Sequence, residues 1–349
     1  MDDRVPQQYL ERARALIAGA FAMDAHFDLG CDLDDRREMG AKSVYTDRHE
    51  ELVRFGGWNC LVSSLFIHSW QLPEMGLRKA LDQISALLAE AEEQPEKIAL
   101  CRSMVEVEAA NVTGRTAILL SFEGVDPIGS DLSLLRIFHE LGVRAVGLAW
   151  SRRNYAADGC TFSPVVEGAK GGLTAFGVQV LEECERLGML VDVSHLNDEG
   201  FADVVRFAKK PFIASHSNCR ALVPHMRNLT DEQIRFVADR GGVIGMNCCS
   251  AFVSQGKNGR VGPRGLVPHM QHIVKLVGDD CVGLGLDCCD RLADFRQAPP
   301  SLGGTYDTVP DHGHLPELVA WMLDAGFSDE SVVKILGGNF RRVYSEVIG

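Results

Sequence analysis

Along this chain, short and almost unbroken apolar runs alternate with longer segments in which apolar residues recur every three or four positions. The runs cover residues 20–28, 58–68, 117–124, 144–151, 189–195, 211–216, 242–249 and 281–289. Runs of this length and continuity predict strands buried on both faces, as in the interior sheet of an α/β fold. The segments between them read as helices, among them 131–141, 176–187 and 230–240. The last opens on Thr230-Asp231-Glu232-Gln233, an N-cap threonine with a glutamine three residues on, and stops at Gly241-Gly242. A further helix is expected to start at Ser328 and end at Gly337-Gly338. Eight strands with helical crossovers in 349 residues predict an α/β fold, a (β/α)8 TIM barrel forming a single domain over residues 1–349. The stretch 77–99 carries Glu90, Glu92, Glu93 and Glu96 and is interrupted by Pro95. It reads as the solvated face of a helical insertion around 70–110, with a structural role only.

In a barrel, chemistry sits where the strands end at their C-terminal face. The first run ends in Asp24-Ala25-His26-Phe27-Asp28, and alternation along a strand would put His26 and Asp28 on one face. The third run ends in Glu123, the fifth in Asp192 and His195, the sixth in His216 and the eighth in Asp287. Any one of these could be a capping or core residue. Together, imidazoles and carboxylates at one face are what a hydrolytic metal centre requires. Three imidazoles and two carboxylates exceed what one open catalytic zinc usually takes, so two ions are expected. A carboxylate such as Glu123 would bridge them ~3.5–4 Å apart, and water shared between them would be acidified to hydroxide. His68 ends the second run and is a further candidate. His49, His139, His225, His269, His272, His312 and His314 lack such placement and read as surface or structural residues.

Composition narrows the setting. A hydrophobic content of 46% supports a sizeable core, and a formal charge of −13 without a Lys/Arg cluster argues against a nucleic-acid partner. Eleven cysteines, several inside apolar runs, fit buried free thiols in a reducing compartment better than a disulfide framework. The apolar run 15–23 reads as the end of a first helix rather than a signal peptide, and no membrane span or lipid-anchor tail is visible. A cytoplasmic location without a membrane anchor is therefore expected.

Several ordered motifs carry a resemblance: Asp24-Ala25-His26-Phe27-Asp28, Ser121-Phe122-Glu123-Gly124, Gly142-Val143-Arg144, Leu173-Thr174-Ala175-Phe176-Gly177, Val191-Asp192-Val193-Ser194-His195, Ser215-His216-Ser217, Arg227-Asn228-Leu229, Gly285-Leu286-Asp287 and Gly338-Asn339-Phe340. With these the chain resembles the membrane dipeptidase (renal dipeptidase-like) family of zinc metallopeptidases, amidohydrolase-like barrels, from about Asp24 to Val347. The resemblance implies one zinc held by His26 and Asp28 and a second by His195 and His216, with Glu123 between them. It implies that Asp287 takes a proton from the shared water and passes it to the leaving amine. It further implies that Arg227 pairs with the carboxylate of a small dipeptide substrate, that L,D-dipeptides are tolerated and that the protein is a homodimer.

The chain departs from that family in two places. Where members carry a histidine thought to bind the scissile carbonyl, this sequence has Trp150, whose indole N–H can donate but carries no charge. Trp150 is thus either a reshaped part of the substrate pocket or a packing residue at the barrel mouth. The usual Asp-Phe-Asp-Gly is here Asp287-Cys288-Cys289-Asp290. These differences keep open a related amidohydrolase acting on another small amide, an N-acyl amino acid or a lactone. A catalytically silent binding protein would be expected to have lost ligands. Side-chain preference is expected to depend on loops 254–265 and 296–313.

Overall fold

Near-continuous apolar runs can satisfy both their side chains and their backbone only inside a sheet covered on both faces, and that is where the chain places them. The structure is a computed structural model and describes Val5 and residues 7–162, 168–254, 260–292 and 304–349. Parts of both substrate-facing loops expected above, 255–259 and 296–303, lie outside the described residues.

Among the described residues there are nine strands: β1 (Met23–Phe27), β2 (Cys60–Leu65), β3 (Ile98–Leu100), β4 (Thr116–Glu123), β5 (Val143–Gly147), β6 (Leu190–Asp192), β7 (Phe212–Ile213), β8 (Ile244–Met246) and β9 (Val282–Leu284). All but β3 match the expected runs. Parallel pairing follows the order β7-β6-β5-β4-β2-β1-β9-β8, and the seam between β7 and β8 is joined by a parallel bridge of Ala214 to Ile244. With helices between the strands this is a nearly closed (β/α)8 barrel. The strands are shorter than the runs because flanking residues such as Leu148 and Ala149 are equally buried while leaving the ladder. Apolarity reports burial there, not pairing.

Two local expectations change. The stretch 77–99 is not wholly helical. A helix spans Gly76–Glu93, the chain turns at Pro95, and β3 follows from Ile98. It pairs with Thr116, Ala117 and Ile118, on the edge of β4 that β5 uses from Leu120 onward. At the C-terminus, Ser328 caps a helix as expected, but Gly337 kinks the chain instead of stopping it. The final helix Asn339–Ile348 then buries Phe340, Val343 and Tyr344 against Met23, Ala25, Cys60, Val62, Ala117 and Leu119. This plug closes the end of the barrel opposite the strand C-termini. A Cβ at Gly337 would collide with the Phe21 carbonyl oxygen, so only glycine allows the approach. Among the described residues no helix is long and apolar enough to cross a membrane.

Candidate metal centre

Regular strand alternation does not place His26. Between Asp24 and Phe27, β1 advances three residues while β2 advances two, from Leu61 to Ser63. A bulge of this kind re-aims side chains, and His26 lies inside it. Asp28 lies beyond the strand as the N-cap of the helix Leu29–Glu38, where the Ser64 hydroxyl donates to its Oδ1. The bulge is tied down by Asp24, whose Oδ1 accepts the amides of His26 and Leu286 and whose Oδ2 contacts His312 Nε2 at 2.8 Å. Glu123 ends β4, and His195, His216 and Asp287 each lie three residues beyond their strands. His195 and Asp287 have φ of 70° and 54°, the left-handed region that non-glycine residues seldom adopt.

These residues converge. His26 Nε2 is 3.7 Å from Asp28 Oδ1, 3.6 Å from Glu123 Oε1 and 3.9 Å from Asp287 Oδ1. His195 Nε2 is 3.0 Å and His216 Nε2 3.6 Å from Glu123 Oε1, and the two imidazole nitrogens are 2.9 Å apart. All except Asp287 are buried. Two groups of donor atoms therefore meet, His26–Glu123–His216 and His26–Asp28–Asp287, with His195 beside the first. So many lone pairs in a dry pocket repel one another unless a proton or cation lies between them, and the donor set is suited to zinc or a similar divalent ion.

The surroundings orient the ring nitrogens. Ser151 Oγ lies 2.7 Å from His195 Nδ1, and Ser215 Oγ lies 2.6 Å from His216 Nδ1. Asp192 accepts the amides of Ser194 and Ser215, so its role at the end of β6 is to position both histidine segments. Contacts of this kind fix which nitrogen faces a metal. Burial holds His195 and His216 well below the ordinary imidazole range, leaving them neutral and able to ligate. Burial, then the charge of Asp287, pushes Glu123 well above the carboxylate range. Asp287 is pushed up to about 7 by burial and the charge of Asp307, while Asn247 donates to its Oδ2 at 3.1 Å.

Arg227 is not a surface residue. It is buried, with Nη2 donating to the His216 carbonyl at 2.7 Å and Nη1 to Ser217 Oγ at 3.2 Å, over the ring of Phe252. Its buried Nε has no partner among the described residues. Trp150 packs 5.7 Å from the His195 ring and against Phe66 and Phe162. Phe162 in turn stacks on Phe252, so an aromatic wall runs from Phe66 to Arg227. His225 joins this wall and accepts the Arg227 amide, closer to the site than its sequence position indicated. His49, His269 and His312 are buried and hydrogen-bonded away from the centre, in keeping with structural roles. The roles of Ser151, Ser215 and Asn247 are not legible in the sequence, since a serine or asparagine carries no signal of its own, even inside a motif such as Ser215-His216-Ser217.

A protein-family model described as membrane dipeptidase (peptidase family M19) matches residues 10–348. An uncharacterized protein in the pqqA 5′ region of Klebsiella pneumoniae is 32% identical over 72% of this chain and 89% of its own length. Dipeptidase tcpJ of Claviceps purpurea is 31% identical over 78% of this chain, which spans only 60% of that protein. Among solved structures, a metallo peptidase from Rhodobacter sphaeroides liganded with a phosphinate mimic of the dipeptide L-Ala-D-Ala superposes with a TM-score of 0.80 and 26% identity, covering 95% of this chain and 99% of the other.

Proposed function

The chain belongs to the membrane dipeptidase family, peptidase family M19, and from that premise we propose that two zinc ions at the strand-end centre serve its chemistry. Metal-dependent hydrolysis of the peptide bond of dipeptides is its activity. In this reading the whole chain is one catalytic domain, with His26 and Asp28 serving one ion, His195 and His216 the other, and Glu123 both. The observation that carries it is the convergence of three imidazole Nε2 atoms on Glu123 Oε1 at 3.0–3.6 Å. When bound, the ions would polarise the scissile carbonyl and acidify a water between them.

The chain's own residues supply the rest. Asp287 faces His26 from the rim and is held by Asn247, and a carboxyl brought near neutrality can both accept a proton and return it to the leaving amine. Arg227 keeps one buried N–H without a partner among the described residues, which supports its pairing with the substrate's C-terminal carboxylate. Trp150, wedged between His195, Phe66 and Phe162, acts as an apolar wall. That wall also gives the second reading, an N-acyl amino acid or other small amide, its one specific support. Eleven free cysteines support a cytoplasmic location. Exposed Trp70, Met75, Leu77 and Leu81 on one short stretch support a homodimer.

The test is a metal analysis of the purified chain followed by hydrolysis assays on L,L- and L,D-dipeptides and N-acyl amino acids. About two ions per chain and cleavage of dipeptides are expected. Fewer than about one ion would reject the binuclear centre, and activity confined to N-acyl substrates would favour the second reading.

A further inference from the structure

His68 closes the second apolar run yet takes no part in the centre described above. Its Nε2 lies 3.7 Å from Cys31 Sγ, and the same sulfur lies 3.9 Å from Asp35 Oδ2. Donor atoms of these three residues all fall within 4.8 Å of one another. Around a tetrahedral zinc with ordinary Zn–S, Zn–N and Zn–O bonds, neighbouring donors stand about 3.4–3.6 Å apart. The two separations from the sulfur, 3.7 and 3.9 Å, are thus within a few tenths of an ångström of those in an ion's ligand shell.

Position and charge favour a cation here. Cys31 and Asp35 are one turn apart on the helix that Asp28 caps, so both sit on one face of it. Cys31 is buried while Asp35 and His68 are partly exposed, which leaves a path for an ion and room for water as a fourth ligand. Burial keeps the Cys31 thiol protonated, and the negative charges of Asp35, Asp34, Asp32 and Glu123 act in the same direction. The two cations that act on His68 are themselves engaged, Lys79 by Asp34 at 2.9 Å and Glu38 at 2.5 Å, and Arg152 by Asp126 at 3.2 Å. His68 is held in place by stacking on Trp70 and meeting Phe66 edge-on.

We propose that Cys31, Asp35 and His68 form a further metal site, separate from the binuclear centre, for a borderline-soft divalent ion such as Zn2+ or Co2+ with solvent completing the shell. On binding, the thiol gives its proton to water, the imidazole ligates through Nε2 and the carboxylate through one oxygen. No thiol belongs to the ligand set of the other centre, and since Cys248, Cys288 and Asp307 also cluster, a sulfur-specific signal is assigned to this site by its loss on substitution of Cys31 or His68.

The experiment loads the full-length chain with Co2+ and records thiolate-to-cobalt charge transfer in the near-ultraviolet, with bound ions counted in parallel after loading with Zn2+. The unaltered chain should show the band and bind one more ion per chain than Cys31→Ser or His68→Ala. Both substitutions should abolish the band. His68→Ala, at a partly exposed position, keeps the test decisive if Cys31→Ser misfolds. Absence of the band in the unaltered chain, its survival in either folded variant, or equal ion counts in all three would overturn the proposal. Because the readout is a difference of one ion and a sulfur-dependent band, it stands whether or not the dipeptidase centre holds two ions.

Discussion

Asp287 combines a functional position with a backbone conformation that restricts its replacements. At φ 54° asparagine is among the few residues tolerated, so Asp287→Asn removes the proton-carrying oxygen while keeping the fold and the Asn247 contact surface. Its kcat should fall by about 10²–10⁴ with metal content unchanged, as measured by assay and ion analysis on the same sample. Ser215 offers a contrasting test. Its hydroxyl links Asp192 to His216 Nδ1, so Ser215→Ala should weaken metal binding by about 10–100-fold in a chelator competition, with KM for dipeptides little changed. The six residues that converge here were legible in the sequence because imidazoles and carboxylates are rare at the ends of apolar runs. Their supports were not legible. Ser151 and Ser215 act only through distances of 2.6–2.7 Å that the barrel creates between segments far apart in the chain.

At the scale of elements, the strands could be read from apolarity, whereas the irregularities that aim the site could not. The β1 bulge depends on how Asp24 bonds to Leu286, 262 residues away, and β3 is too short to register as a run. The loop bearing Phe162 is another such irregularity. Asp158 pairs with Arg153 through both carboxylate oxygens and accepts the Gly171 amide, fastening Arg153 and Gly171 to one side chain. Despite opposition from burial, the Arg153 side chain and that amide hold the Asp158 carboxyl below its ordinary value. A depressed carboxylate stabilises the fold fully above its unfolded pKa of about 3.9, and the contribution is lost as pH falls through the lower folded value. Asp158→Asn should therefore cost about 1–3 kcal/mol in urea unfolding at pH 7, and the gap from the unaltered chain should narrow at about pH 3. A gap that stays constant across this range would remove the charge argument. Gly285 tests the barrel seam. A Cβ there would strike the Ser215 carbonyl oxygen, and Gly285→Ala should destabilise by about 1–3 kcal/mol or more while also displacing His216.

Over the whole molecule, the centre gathers donors from the ends of β1, β4, β6, β7 and β9, which an unfolded chain scatters over 262 positions from His26 to Asp287. Ions bound there favour the folded state alone and must stabilise it by mass action, about 2.7 kcal/mol for each site held at a hundredfold excess over its Kd. The apolar plug of Phe340, Val343 and Tyr344 and the cores on either side of the sheet do not depend on them. Chelation should therefore lower the melting temperature while leaving the far-ultraviolet circular dichroism of the native state intact, and added zinc should restore it. Two outcomes would count against this division of labour. Collapse of the circular dichroism on chelation at room temperature would mean that the ions hold the barrel together. A melting temperature indifferent to verified metal loss would mean that these buried donors, 2.9–3.9 Å apart, are held by the fold without help from a cation.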